Sequence, residues 1–457
     1  MRPERLCFIL IVILLLNAAA GAGEKAILTL DGAVERALAK NSQVKASEFA
    51  LKRAKWEKKH SWTLLMPTLG MSSRMMRIDD RTFAERDFRR YLPDVIRDQI
   101  PQTVFQESYY TSLDVTMPLF NGTLLNGLFI ANANVESAHR MAKSTRENIL
   151  FLVISSYLNA LRSRELLDLQ RDYLELAQLN YAKAERLFNA GRYSNVDVLR
   201  WRLEHQQQRS VVVNAESAVR SQMANLQRLV NLTDSHGFEI EDRIPAELLE
   251  ESVRFSGLSD AEIMTLIQLD DRELIRANAA LAAAKSNEEI SRLFYRDSYF
   301  SYLPNVSVSY SYGWRENNTL ALDDYSPQTV MLNVTVPLFS GFQKFTSMKS
   351  AYFDYKRSQQ EFNDQLQNTR YILTETANKI INNVTQKALS KTNLEYNEHN
   401  YRIILQQHDQ GLVSNIDLLD AQLDLREAHI NDIATQYEFI SAIVELYYLL
   451  SKLETLL

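Results

Sequence analysis

Two short stretches concentrate the residue types from which a polar site could be built. "LFNAGRYSNVDVL" spans residues 187–199, and "QHDQGLVSNIDLL" spans 407–419. Gly191, Ser194, Asn195 and Asp197 of the first fall on Gly411, Ser414, Asn415 and Asp417 of the second, with Asp420 three residues further on. A glycine permits a tight turn, a serine soon after it caps a helix, and a carboxylate in the first turn is favoured by the helix dipole. The same carboxylates could instead line a narrow entrance and gather cations. The 7 histidines show no zinc spacing, and no Gly-rich phosphate loop or Ser/His/Asp constellation is present. Cys7, the single cysteine, lies in an apolar N-terminal run, so disulfides and thiolate metal sites are not expected. Met66, Met71, Met75 and Met76 suggest either soft-metal handling or flexible packing near a membrane interface, and packing is the simpler reading. We expect no enzyme, no metal and no cofactor.

The elements that hold those turns are themselves duplicated. "VTMPLFNG" at 115–122 recurs as "VTVPLFSG" at 334–341, and Pro67 matches Pro304. "NSQVKASEFALKRA" from Asn41 reads as the partner of "DRELIRANAALAAA" from Asp271. The organisation expected is a signal peptide at 1–22, a first repeat at 23–232, an irregular connector at 233–255 and a second repeat at 256–457. Arg2 and Arg5, the apolar run Leu6 to Leu16 and the small residues Ala20-Gly21-Ala22 support the signal peptide. Its removal leaves 49 basic and 56 acidic residues, net -7, a balance that argues against nucleic-acid binding.

Each repeat reads helix, strand, strand, long helix, helix. In "YLPNVSVSYSYGW", Val306, Val308, Tyr310, Tyr312 and Trp314 share one face and Ser307, Ser309 and Ser311 the other. "TVMLNVTVP" alternates in the same way. Pro118 and Pro337 are expected to end the strand ladders, and Gly122 and Gly341 to permit the turn into a helix. From Leu124 to Phe188 and from Gln343 to Gln410 only Gly127 interrupts the helical pattern, which at 1.5 Å per residue gives about 100 Å of helix each. Leu419, Leu423, Ile430, Ile433, Tyr437, Ile440, Val444 and Tyr447 follow a heptad seam broken only by Arg426. A strand with one apolar and one polar face, behind a signal peptide, suits a membrane β-barrel. Four strands cannot close one, and an open edge is not tolerated in lipid, so three chains and twelve strands are expected. The charged insertion at 79–98 reads as a solvated external loop, with no support for a receptor role.

With its duplicated strand–Pro–Leu-Phe-x-Gly motif, the helix opening "LTLDGAVERALAKNSQVKA" and "GLVSNIDLLDAQ", the chain resembles the TolC family of outer-membrane efflux proteins. The resemblance covers nearly all of the sequence after the signal peptide. It implies a mostly α fold in which a trimeric β-barrel is continued by a periplasmic coiled-coil α-barrel. It also implies an exit duct for efflux or type I secretion, embedded in outer-membrane lipid. The partners implied are a periplasmic adaptor (membrane fusion) protein and an inner-membrane RND, ABC or MFS transporter. On this resemblance Asp417 and Asp420 narrow the periplasmic entrance, and Asp197 joins the links between helical hairpins. Val413 stands where some relatives have arginine, and His408 where they have tyrosine, so the polar locks are absent or differently built. Two alternatives remain open on sequence alone: a soluble or periplasmic coiled-coil scaffold, and a stand-alone outer-membrane porin.

Overall fold

The structure, a computed structural model, describes residues 27–232, 238–316, 321–322 and 328–457. The expected signal peptide and residues 233–237 of the connector lie outside the described residues. In the first half β1 (Ile27–Leu28), α1 (Leu30–Lys40) and α2 (Ser42–Thr63) lead into β2 (Thr68–Arg77). The insertion carries α3 (Asp80–Arg86) and α4 (Asp94–Arg97) before β3 (Glu107–Asn121), α5 (Gly122–Asn189), α6 (Asn195–Leu229) and β4 (Glu239–Ile240). The second half holds α7 (Ala246–Ser256), α8 (Asp260–Leu266), α9 (Asp271–Ala277), α10 (Ala279–Phe300), β5 (Asn305–Glu316), β6 (Gln328–Thr335), α11 (Gln343–Asp409) and α12 (Asn415–Leu449). The chain forms two compact units. One comprises Leu51–Ala138 and Ser286–Glu361; the other comprises His139–Lys285 and Phe362–Leu457 with the segment up to Ala50.

The first unit contains a four-stranded antiparallel sheet in the order β2-β3-β5-β6. Its register aligns Leu69, Val115, Tyr310 and Val330 across all four strands, and Met117 with Val308 and Leu332. These residues make one apolar face, and Val330 and Leu332 stay 73% and 62% exposed on it. The opposite face carries Ser72, Ser112, Asp114, Thr116, Ser309 and Ser311. Met71 and Met75 belong to the apolar face and Met76 to the other, so these three do not share a face. No helix among the described residues is long and apolar enough to cross a membrane.

Two expectations about the strand ends need correction. Pro118 does not end its ladder: it pairs with Ser307 inside β3, beside a bulge between Pro118 and Phe120. A bulge leaves a position outside the regular ladder, where a residue without an N–H is tolerated. Pro337 does lie past its strand, which ends at Thr335. Gly341 supplies the left-handed turn expected of it, with φ 60°. Gly122 instead opens α5 with ordinary backbone, and glycine fits there because a Cβ would come within 2.9 Å of the Phe300 carbonyl oxygen. The insertion is folded rather than loose. Asp79 caps α3, the Asp87 carboxylate accepts two bonds from the Arg89 guanidinium at 3.0 Å, and Arg97 donates to the Arg89 and Leu92 carbonyls.

The second unit is helical. Tyr157, Ile154, Leu226, Tyr437 and Ile440 belong to one buried core, and Phe255, Leu281, Ile380, Phe439 and Ile443 to another. The repeat reappears here in fine geometry. The Asn41 side-chain amide donates to the Leu229 carbonyl at 3.0 Å, and that of Asn278 to the Leu449 carbonyl at 2.9 Å. Asn41 therefore corresponds to Asn278, so pairing it with Asp271 by sequence is a slip of seven residues. Seven residues are two helical turns, and alanine-rich helices look alike after such a shift. The connector is only partly irregular: β4 pairs in parallel with β1, and α7 buries Leu248 and Phe255. Arg426, the break in the heptad seam, donates to Glu204 at 2.8 Å and to Gln208 at 2.6 Å. Gln208 in turn donates to the Gln170 side chain at 2.6 Å. Glu204, Gln208 and Gln170 are 5%, 0% and 6% exposed, so a fully partnered polar layer crosses the helix seam.

Candidate functional site: the paired helix turns

The two turns singled out by sequence close the hairpins α5–α6 and α11–α12, and they are near copies. Gly191 and Gly411 adopt φ 74° and 75°. Arg192 N–H returns to the Leu187 carbonyl at 2.8 Å, and Leu412 N–H to the Gln407 carbonyl at 2.9 Å. This left-handed helix stop needs a residue without Cβ strain, which explains the glycines. Ser194 and Ser414 then cap the next helix. Each serine hydroxyl accepts from the N–H of Asp197 or Asp417 at 3.2 and 3.3 Å, and each aspartate accepts back from the serine N–H at 3.1 and 2.8 Å. Hydrogen bonding to Ser194 holds the Asp197 carboxyl below its ordinary range, with smaller help from Asn415 and Arg200. Ser414 does the same for Asp417.

Side chains from both hairpins meet around His408. Its side chain is 7% exposed, and Nε2 lies 2.9 Å from both the Tyr193 hydroxyl and Asn415 Oδ1. Asn415 Oδ1 can only accept, so the Nε2–Asn415 bond is donated by the ring. Nδ1 is buried without a hydrogen-bond partner and sits 3.8 Å from Asp409 Oδ1. Asp409 accepts from Lys183 Nζ on α5 at 2.8 Å, and this bond holds its carboxyl below the usual range. Beside these ties Ala184, Trp201 and Leu418 form a small apolar cluster. Lys183, Tyr193, Asp197, His408, Asp409 and Asn415 line a groove of about 450 Å³ between the hairpins.

Asp197, with Asn415 among its contacts, thus belongs to the junction, whereas Asp417 stands exposed on the first turn of α12 and Asp420 on the second. Val413 contributes no polar tie but lines the groove. Lys183, Tyr193 and Asp409 were not singled out by sequence. Their only signal is position, within about three turns of the duplicated glycines. Among the described residues no group of His, Cys, Asp or Glu could hold a metal ion. The arrangement can latch two hairpins and present carboxylates.

Residues 33–232 and 269–452 match the family model of the outer membrane efflux proteins. The chain is 22% identical over 347 residues to the alkaline protease secretion protein AprF of Pseudomonas aeruginosa, covering 74% of this chain and 68% of that one. It is 26% identical over 324 residues to the proteases secretion protein PrtF of Dickeya chrysanthemi, covering 68% and 66%. The crystal structure of the outer membrane protein VceC of Vibrio cholerae superposes with a TM-score of 0.76 at 15% identity, covering 92% of this chain and 95% of that one.

Proposed function

The chain belongs to the outer membrane efflux protein family, and on that premise we propose that it is the exit duct of a tripartite system, working as a homotrimer. It is an outer-membrane protein of a channel family, not an enzyme. The observation that carries the proposal is the sheet. Strands β2 and β6 are each paired on one side only, and one face is apolar. In lipid both edges must be closed, and three copies of the four-stranded sheet close a barrel of twelve. Unused helix seams support self-association as well. Val196, Leu199 and Leu203 of α6 are 54%, 53% and 58% exposed, and Leu389 and Tyr396 of α11 are 58% and 71% exposed, all at coiled-coil spacing.

Substrate passes from an inner-membrane transporter of RND, ABC or MFS type, through a periplasmic adaptor, into the helical part and out through the barrel. The names of AprF and PrtF favour polypeptide secretion over small-molecule efflux. The paired turns form the resting closure. Asp417 and Asp420 of three copies line the constriction, while Asp197, with the Tyr193–His408–Asn415 and Lys183–Asp409 ties, holds neighbouring hairpins together. Chemical crosslinking in native-like lipid should saturate at three chains. In planar bilayers the channel passes little current, prefers cations and is blocked by trivalent cations from the helical side. Asp417→Ala with Asp420→Ala abolishes block and preference. A stable monomer, or a double variant with unchanged block, refutes the corresponding half of the proposal.

A further inference from the structure

The polar face of the sheet is almost free of charge. Among the described residues its charges are only Arg74, Arg315 and Asp114; the other positions are hydroxyls, amides, small residues, Tyr110, Pro118 and two methionines. The charges are sorted by height. Arg74 and Arg315 both sit in register with Tyr110, one on each side of it. This level lies toward the end of the sheet remote from α2 and α5, beside the connection that leaves β2 at Arg77. Asp114 sits four residues deeper, about 13 Å along the strand. Its carboxylate is fixed by the Ser112 and Ser311 hydroxyls, which donate at 2.7 and 2.6 Å.

The arginine level is a built feature. Tyr110 leans across β5 over Gly313, where a Cβ would stand 2.9 Å from the tyrosine hydroxyl. The ring thus covers the bare backbone of β5 one step below Arg315. Arg74 and Arg315 are exposed and have no ion-pair partner among the described residues. On the opposite face, by contrast, Arg77 faces Glu107 at 3.7 Å. Adjacent strands are about 4.8 Å apart, so the two guanidinium stems start about 10 Å from each other. The Debye length in physiological salt is about 8 Å, shorter than the drop to Asp114, so the two levels act as separate layers.

We propose that Arg74 and Arg315 form an anion-collecting collar at the outer end of the duct, suited to carboxylate-rich polypeptide. This rests on the three-copy barrel proposed above, in which the polar face lines the lumen and six guanidinium groups ring the exit. Arginine stays charged at all working pH and pairs with carboxylates through two parallel donors. A ring of such groups against a low-dielectric wall concentrates anions. Its sign is opposite to that of the acidic entrance, so an acidic segment that has passed the turns is drawn toward the exit.

The test uses the full-length trimer in planar bilayers, with hexaglutamate and hexalysine peptides added to either side. Hexaglutamate reduces the current from the sheet side, and hexalysine does not. Arg74→Ser with Arg315→Ser raises the half-blocking concentration about tenfold, within the range expected for charge-focused binding. Arg74→Lys with Arg315→Lys retains most of the block, which separates loss of charge from loss of folding. Equal block of wild type and the double serine variant, or equal block by hexalysine from that side, overturns the collar while leaving the duct intact. Failure of wild type to crosslink as a trimer in lipid overturns the barrel reading and the collar with it.

Discussion

Removing the ties between the paired turns tests the latch directly. Tyr193→Phe deletes the hydroxyl that meets His408 Nε2 at 2.9 Å, and Lys183→Ala deletes the partner of Asp409. The first is a half-buried hydrogen bond, worth about 1 kcal/mol. The second joins groups 41% and 56% exposed, so solvent screening reduces it to about 0.5 kcal/mol. The double variant therefore lowers the local opening free energy by about 1.5 kcal/mol per chain, roughly tenfold in the opening equilibrium. If three copies open together the effect reaches about 4.5 kcal/mol, more than a thousandfold in the open population. Amide hydrogen exchange reads the first figure in segments 187–199 and 407–419, and single-channel recording reads the second. The core segment around Ile154, Tyr157 and Leu158 should keep its protection, because it lies in a separate apolar cluster. Unchanged exchange at the turns, or an equal rise in the core segment, would refute the latch.

The sheet register gives a second prediction: Val308→Arg places a charge on the apolar face and should cost about 2–4 kcal/mol of assembly, against much less for Ser309→Arg on the polar face. Comparable defects in trimer yield from the two variants would refute the assigned register. The acid response of the turns gives a third. Asp197 and Asp417 have folded pKa values depressed by their capping serines. Such groups stabilise above the unfolded carboxylate pKa and lose that contribution as pH falls through the folded value. Exchange protection of the turns should stay level from neutral pH to about 5 and drop below about 4. Asp197→Asn with Asp417→Asn should flatten that drop, and an unchanged profile would assign it to other groups.

What the sequence disclosed followed the range of the interactions. The duplicated turns were legible because Gly191 and Ser194, like Gly411 and Ser414, act on backbone within a few residues. The strand faces were legible because alternation at period two is local. The Arg426 anomaly was visible as a break, but its partners Glu204 and Gln208 lie more than 200 residues earlier, and no local pattern points to them. The ties Tyr193–His408 and Lys183–Asp409 were hidden for the same reason. Pro118 misled because proline stops a regular ladder, and nothing in "VTMPLFNG" announces a bulge. The Asn41 register slipped because helical repeats tolerate a seven-residue shift, whereas Pro67 and Pro304 had no such freedom.

The polar layer around Arg426 also bears on how a duplicated chain becomes a ring. By the repeat, Arg426 corresponds to Gln206 and Glu204 to Asp424, and both of those counterparts are exposed. The two hairpins therefore meet through different faces. A joint made from identical faces is two-fold and ends with the pair. A joint between unlike faces leaves one unused face on each side and can be continued until it closes. The unlike charges Arg426 and Glu204 enforce the second kind, since turning one hairpin to present the face the other uses would bury a charge without its partner. Duplication followed by divergence at this layer gave the chain direction: each copy has a leading hairpin and a trailing one, and closure around an axis is a further use of the same rule.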